Sequence, residues 1–181
     1  MNKLYAIVGP HASGKSEILN KLRTIGIPCL ISHTTRKPRK GETDFYDYYF
    51  VSPETFKTLS FAEKVMYQGE HYGISKNELI EKMKTSKILV TLVEQNGLIQ
   101  LKKLLGSRLE SIYIMVDYVT MVERMLMNNE TDAEIKRQLE FCEKNGEFDI
   151  WKKTTHIVKN TGNINIAVNQ ILAIMELLVP K

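Results

Sequence analysis

The residues most able to do chemistry lie close to the start of the chain. They are Gly9-Pro10-His11-Ala12-Ser13-Gly14-Lys15-Ser16, the P-loop pattern G-x-x-x-x-G-K-S. Glycines let the backbone curl tightly around a polyanion. The loop N–H groups and the following helix N-terminus then point positive partial charge at phosphate. Lys15 can reach the outer phosphates, and the Ser16 hydroxyl can ligate a magnesium ion. Glu17 is unusual, because its charge suits the helix dipole yet sits near incoming phosphates. His11 is an unusual loop residue as well.

A second cluster follows at Ser32-His33-Thr34-Thr35-Arg36-Lys37-Pro38-Arg39-Lys40-Gly41-Glu42, where Arg36, Lys37, Arg39 and Lys40 crowd together. Proline and glycine keep the stretch out of helix. Taken alone it is either a solvated basic loop or a second anion site, since guanidinium forks match phosphate. Beside a loop that holds one nucleotide, a second phosphate grip favours a phosphoryl acceptor.

The elements around these clusters form an alternating pattern. Leu4–Val8 is apolar and short, the mark of a buried parallel strand, and Ile18, Leu19 and Leu22 recur at helical spacing behind the loop. Further strands are predicted at Pro28–Ser32, Asp47–Val51, Phe61–Tyr67, Ile88–Val93, Ile112–Val116 and His156–Val158. Gly69 and Gly73 mark turns around His71 and Tyr72. Ser52-Pro53 is the signature of a helix start. Ser75-x-x-Glu78 and Thr131-x-x-Glu134 are predicted capping boxes. Helices are expected over Gly97–Leu105 and Tyr118–Met127, and a last one carries its apolar face from Ile164 to Met175. Strands alternating with helices imply an α/β fold with a parallel sheet.

The 181 residues allow one domain with a real core. Net charge is +4, too mild to argue for nucleic acid, and no apolar run approaches a membrane span. No signal peptide is expected ahead of the first strand. Cys29 and Cys142 lie far apart, in no metal-ligand spacing, as in a cytosolic protein.

Together, GPHASGKS, SHTTRKPRKGE, DYYFVS and HYGIS resemble the guanylate kinases nearly end to end. The second and third strings are the more specific. The resemblance implies a five-stranded parallel core at 1–31 and 86–181, an inserted strand-rich GMP-binding part at 32–85, and a helical lid at about 120–145. It implies transfer of the ATP γ-phosphoryl group to GMP with Mg2+. Charge, hydropathy and cysteine usage add the expectation of a cytoplasmic monomer or homodimer with no nucleic-acid or membrane partner. The resemblance places ATP on Gly9 through Ser16, with Lys15, Arg36 and Arg39 catalytic. GMP falls to Ser32, Arg36, Arg39, Glu42, Tyr48, Glu63, Tyr72 and Ser75, and the lid to Arg124 and Arg137. The chemistry of guanine agrees with Glu63: one carboxylate can accept from both N1–H and the N2 amine.

The chain also departs from the family pattern. Ile74 stands where Ser or Thr is usual. Leu92 and Glu94 stand at two family aspartates, and Asn128 and Gln138 at two lid arginines. Two other expectations are therefore carried forward: a kinase of this fold with another acceptor, and a weakly active binding module.

Overall fold

The computed structural model describes residues 2–178. In chain order its elements are β1 (Lys3–Val8), α1 (Lys15–Thr24), β2 (His33–Thr34), β3 (Tyr49–Phe50), α2 (Pro53–Thr58), β4 (Phe61–Tyr67), β5 (Glu70–Ser75), α3 (Lys76–Thr85), β6 (Ile88–Leu92), α4 (Gln95–Leu105), β7 (Leu109–Met115), α5 (Tyr118–Met127), α6 (Asp132–Lys144), β8 (His156–Lys159) and α7 (Ile164–Ile174). Short 3-10 turns occupy Gly106–Arg108 and Glu147–Lys153. The chain divides into two compact units, one made of the residues up to Tyr5 with Ile27–Leu109, the other of Ala6–Gly26 with the residues from Glu110 onward. The division passes through β1, which belongs to a sheet of order β6-β1-β7-β8.

In the first unit, a second sheet has the order β3-β2-β5-β4. β4 and β5 form an antiparallel hairpin, with Glu63 opposite Ile74 and Lys64 opposite Gly73, and a register irregularity between Phe61 and Glu63. Gly73 thus lies inside a strand, paired with His33 of β2, and not in the predicted turn. β3 is shorter than predicted. The Asp47 N–H turns back onto the Thr43 carbonyl at 2.9 Å and the Tyr48 carbonyl takes the Phe45 N–H at 3.0 Å, so local turn bonds claim the groups at the start of the predicted strand. Ser52 caps α2, with Pro53 at its first position. Phe56 of α2 stacks on Phe61 with ring centroids 4.2 Å apart. α4 begins two residues earlier than predicted, capped at Glu94.

The strand expected over 28–32 does not form as a ladder. Cys29 bridges Val90 alone, with the Leu30 N–H on the Val90 carbonyl at 2.9 Å and the Val90 N–H on the Pro28 carbonyl at 3.0 Å. Pro28 has no N–H to extend the pairing. The core sheet therefore has four strands where five were expected.

In the second unit, β7 and β8 run parallel, Ile112 beside His156 and Ile114 beside Val158. β1 and β7 are buried almost throughout. α1 packs on α7. α5 and α6 meet through Met121, Met125 and Ile135, against which Ala12 of the glycine-rich loop also packs. Thr131 and Glu134 form the full reciprocal capping box that opens α6. The α/β class with a parallel sheet and flanking helices is the observed one.

Candidate functional site

In the second unit, the glycine-rich loop leaves β1 and opens α1. Gly14 caps the helix with φ 89°, a conformation L side chains rarely adopt. A Cβ there would meet Asn160 Nδ2 at 2.5 Å. Asn160, just beyond β8, is 2% exposed and donates Nδ2–H to the Ser13 carbonyl at 2.8 Å. Its Oδ1 and the Ser13 Oγ are buried without a hydrogen-bond partner. Lys15 Nζ curls back onto the Gly9 and Pro10 carbonyls at 2.5 and 2.9 Å. Its ammonium thus rests on carbonyls of its own loop. Ser16 is exposed on the first turn of α1.

Arg124 of α5 grips the same loop, donating to the Ala12 carbonyl at 3.2 Å and the Asn160 carbonyl at 2.9 Å. Arg137 of α6 is exposed. Asn128 forms the C-cap of α5. His11 Nε2 lies 3.2 Å from Glu130 Oε1. Cys142 is fully buried, and burial above all, together with the Glu147 carboxylate, pushes its thiol up to about 12. The thiol donates to Glu147 Oε2 at 3.3 Å. Cys29 is also buried, and its thiol donates to the Ile27 carbonyl at 3.4 Å.

In the first unit, Arg36 lies at the centre of a polar cluster. Its guanidinium forks onto Glu42 at 2.8 and 2.9 Å and donates Nε–H to the Tyr72 hydroxyl at 3.1 Å. It lies 5.4 Å above the Tyr48 ring. Burial opposes its charge, but Glu42 and Tyr72 outweigh that and hold the guanidinium firmly protonated. Burial likewise opposes the Glu42 charge, and the bonds from Arg36 and the Arg39 N–H keep that carboxyl below its usual range. The Arg39 N–H reaches Glu42 Oε2 at 2.7 Å while its side chain is exposed. Burial pushes the Tyr48 hydroxyl up to about 12.

Glu63 of β4 is 3% exposed. Its Oε1 accepts the Ile74 N–H at 3.0 Å, and its Oε2 is buried with no partner. Burial raises the carboxyl to about 7, the Ile74 N–H offsets part of this, and the charge of Glu94 adds to it. Glu94 also acts on Tyr48, so it belongs to this cluster, whereas Leu92 ends β6 and carries no charge. Ser32 is half-buried, its carbonyl on the Tyr49 N–H at 2.9 Å. Ser75 accepts the Glu78 N–H at 3.2 Å as the cap of α3.

Three residues here escaped the sequence reading. Gln100 of α4 accepts the Lys64 N–H at 3.1 Å and donates to the Lys64 carbonyl at 2.9 Å, fixing β4 beside Glu63. Asn160 and Glu130 reach the loop from far along the chain. No motif marks them; an amide just past the last predicted strand is the only signal Asn160 leaves.

A glycine-rich G-x-x-x-x-G-K-S loop between strand and helix on an α/β frame defines the P-loop kinase class; the other unit carries the partly buried Arg36–Glu42 pair and a buried, partnerless Glu63 oxygen. The chain belongs to the guanylate kinase family, whose profile matches residues 1–176. It is 29% identical to the guanylate kinase of Fusobacterium nucleatum, over 97% of either chain. It is also 29% identical to that of Porphyromonas gingivalis, over 96% of this chain and all of the relative. The fold is that of the crystal structure of guanylate kinase from Anaplasma phagocytophilum, at a TM-score of 0.74 and 22% identity over 97% of this chain and 84% of that one. The family are ATP-dependent nucleoside monophosphate kinases that phosphorylate GMP.

Proposed function

We propose that this chain transfers the γ-phosphoryl group of ATP to GMP, giving ADP and GDP. The observation that carries the choice of acceptor is Glu63. A buried carboxylate with one oxygen satisfied and the other without a partner is set to accept a ligand's donors. Guanine presents N1–H and the N2 amine side by side, whereas adenine presents an acceptor at N1. Pairing that fails in a buried site is strongly rejected. Glu94 supplies a second carboxylate where the family has aspartate, and Ser32 lies on the same unit.

Arg36, Arg39, Tyr48 and Tyr72 hold the acceptor's phosphate. Glu42 keeps Arg36 aimed before the phosphate arrives. The donor's phosphates take the loop Gly9–Ser16, where Lys15 exchanges its loop carbonyls for phosphate oxygens. Magnesium asks for few protein ligands and hard oxygens, and the exposed Ser16 hydroxyl on the first turn of α1 fits that demand. When bound, the ion neutralises charge on the donor's outer phosphates. The protein's own share is positioning and charge, since phosphoryl transfer asks little covalent chemistry of it. Arg124 steadies the loop from α5. No helix among the described residues is long and apolar enough to cross a membrane.

The test is an acceptor screen with ATP and magnesium. GMP should exceed AMP, CMP and UMP by at least about a hundredfold in kcat/KM. Equal use of another monophosphate would overturn the guanine reading. GMP binding without turnover would point to a binding module.

A further inference from the structure

The His11 imidazole and the Glu130 carboxylate meet at 3.2 Å, both partly open to solvent, at 26% and 20% exposure. One is in the phosphate loop, the other in the turn between α5 and α6. The fold of that turn does not depend on their contact. α5 closes on its own backbone, with the Asn128 N–H on the Arg124 carbonyl at 3.0 Å, the Asn129 N–H on Leu126 at 2.9 Å and the Glu130 N–H on Met125 at 3.1 Å. α6 opens on its complete capping box. The neighbouring loop residue, Ala12, is already held by Arg124. The contact that His11 makes with Glu130 is through its ring.

We propose that the His11 side chain is a donor-phosphate ligand, and that Glu130 occupies its place until the nucleotide arrives. The inference rests on the reading of Gly9–Ser16 as the donor loop. Phosphate oxygens compete with the Glu130 oxygen for the same ring donor, and they carry more charge. A carboxylate at the mouth of the loop also repels the polyanion. Glu130 is thus a gate on donor affinity, and His11 contributes a contact in a chain whose lid turn, Leu126-Met127-Asn128-Asn129, holds no arginine.

The two residues predict opposite signs. The measurement is calorimetric binding of ATP with magnesium to the full chain. His11→Ala should weaken binding about tenfold, the loss of one charge-assisted bond. Glu130→Gln should tighten it about threefold by removing the competing charge. His11→Gln, which keeps bulk and a donor, should fall between His11→Ala and wild type and covers the case of a His11→Ala chain that fails to fold. If both His11→Ala and Glu130→Gln weaken binding, the pair is a structural strut and the proposal fails; if neither moves it, His11 does not touch the donor. Lys15→Ala run alongside separates the two readings. If Lys15→Ala binds ATP like wild type, the donor-loop reading itself is lost.

Discussion

Gly97 on α4 leaves room for the Glu63 carboxylate on β4: a Cβ at Gly97 would lie 2.5 Å from Glu63 Oε2. The partnerless oxygen therefore owes its position to a missing side chain on the facing helix. Gly97→Ala should push Glu63 off that position. GMP affinity should fall about tenfold or more, from a lost charged hydrogen bond, with ATP affinity unchanged. Calorimetric titration with each nucleotide checks this, and unchanged GMP binding would show that the carboxylate has other room.

Glu63 also sets a pH dependence. Its carboxyl is raised from an ordinary value near 4.5 to about 7, first by burial and then by Glu94, against the Ile74 N–H. The folded state thus holds this proton more tightly than the unfolded chain does. The associated loss of stability is absent at pH below about 4.5, grows through neutrality and is complete above about 7, on the order of 3 kcal/mol. Guanine donors need the ionised form. GMP affinity should therefore rise with pH through about 7 and level off above it. The phosphate of GMP titrates nearby, so the informative quantity is wild type minus Glu63→Gln. That difference should vanish if Glu63 does not titrate here. Glu63→Gln should also flatten the decline of stability with pH.

Lys15→Ala removes the ammonium that rests on the Gly9 and Pro10 carbonyls. Turnover should fall by about a hundredfold or more, with the circular dichroism spectrum kept, because the group acts on phosphate charge. Wild-type turnover in a folded variant would place the donor elsewhere.

Arg36→Ala should weaken GMP by about ten- to a hundredfold and leave ATP alone. It also strands Glu42, whose carboxylate then repels the acceptor's phosphate. Adding Glu42→Gln should recover part of the loss. No recovery would mean that Glu42 does not face the bound phosphate.

The two candidate lid arginines separate cleanly. Arg124→Ala breaks two bonds that hold the loop and Asn160, and should lower kcat/KM about tenfold or more. Arg137→Ala, at an exposed position, should stay within about twofold. The reverse order in steady-state kinetics would assign the lid's work to Arg137.

Much of this was legible in the chain because it is local. The phosphate loop, the box at Thr131 and Glu134, and the apolar face of α7 each lie within a few residues of sequence. The bridging of Ser13 by Asn160 spans 147 positions and leaves no spacing to detect. Gln100 looks like any polar residue on a helix, and only the packing of α4 beside β4 gives it a task. The strand at Pro28–Ser32 had the right composition, but composition does not say that one bridge would suffice. The capping box expected at Ser75 formed only on one side, since Glu78 turns instead to the Tyr49 hydroxyl at 3.3 Å.

Gln100 has one more effect. β4 is the last strand of its sheet, and such an edge offers bare N–H and C=O groups to any passing chain. The primary amide of Gln100 covers both groups of Lys64, in the way a neighbouring strand would. The side chain that fixes β4 beside Glu63 thereby also blocks edge-to-edge association at that point. Gln100→Ala would open a short segment of backbone to self-association, so a variant made to loosen nucleotide binding would also need watching for aggregation.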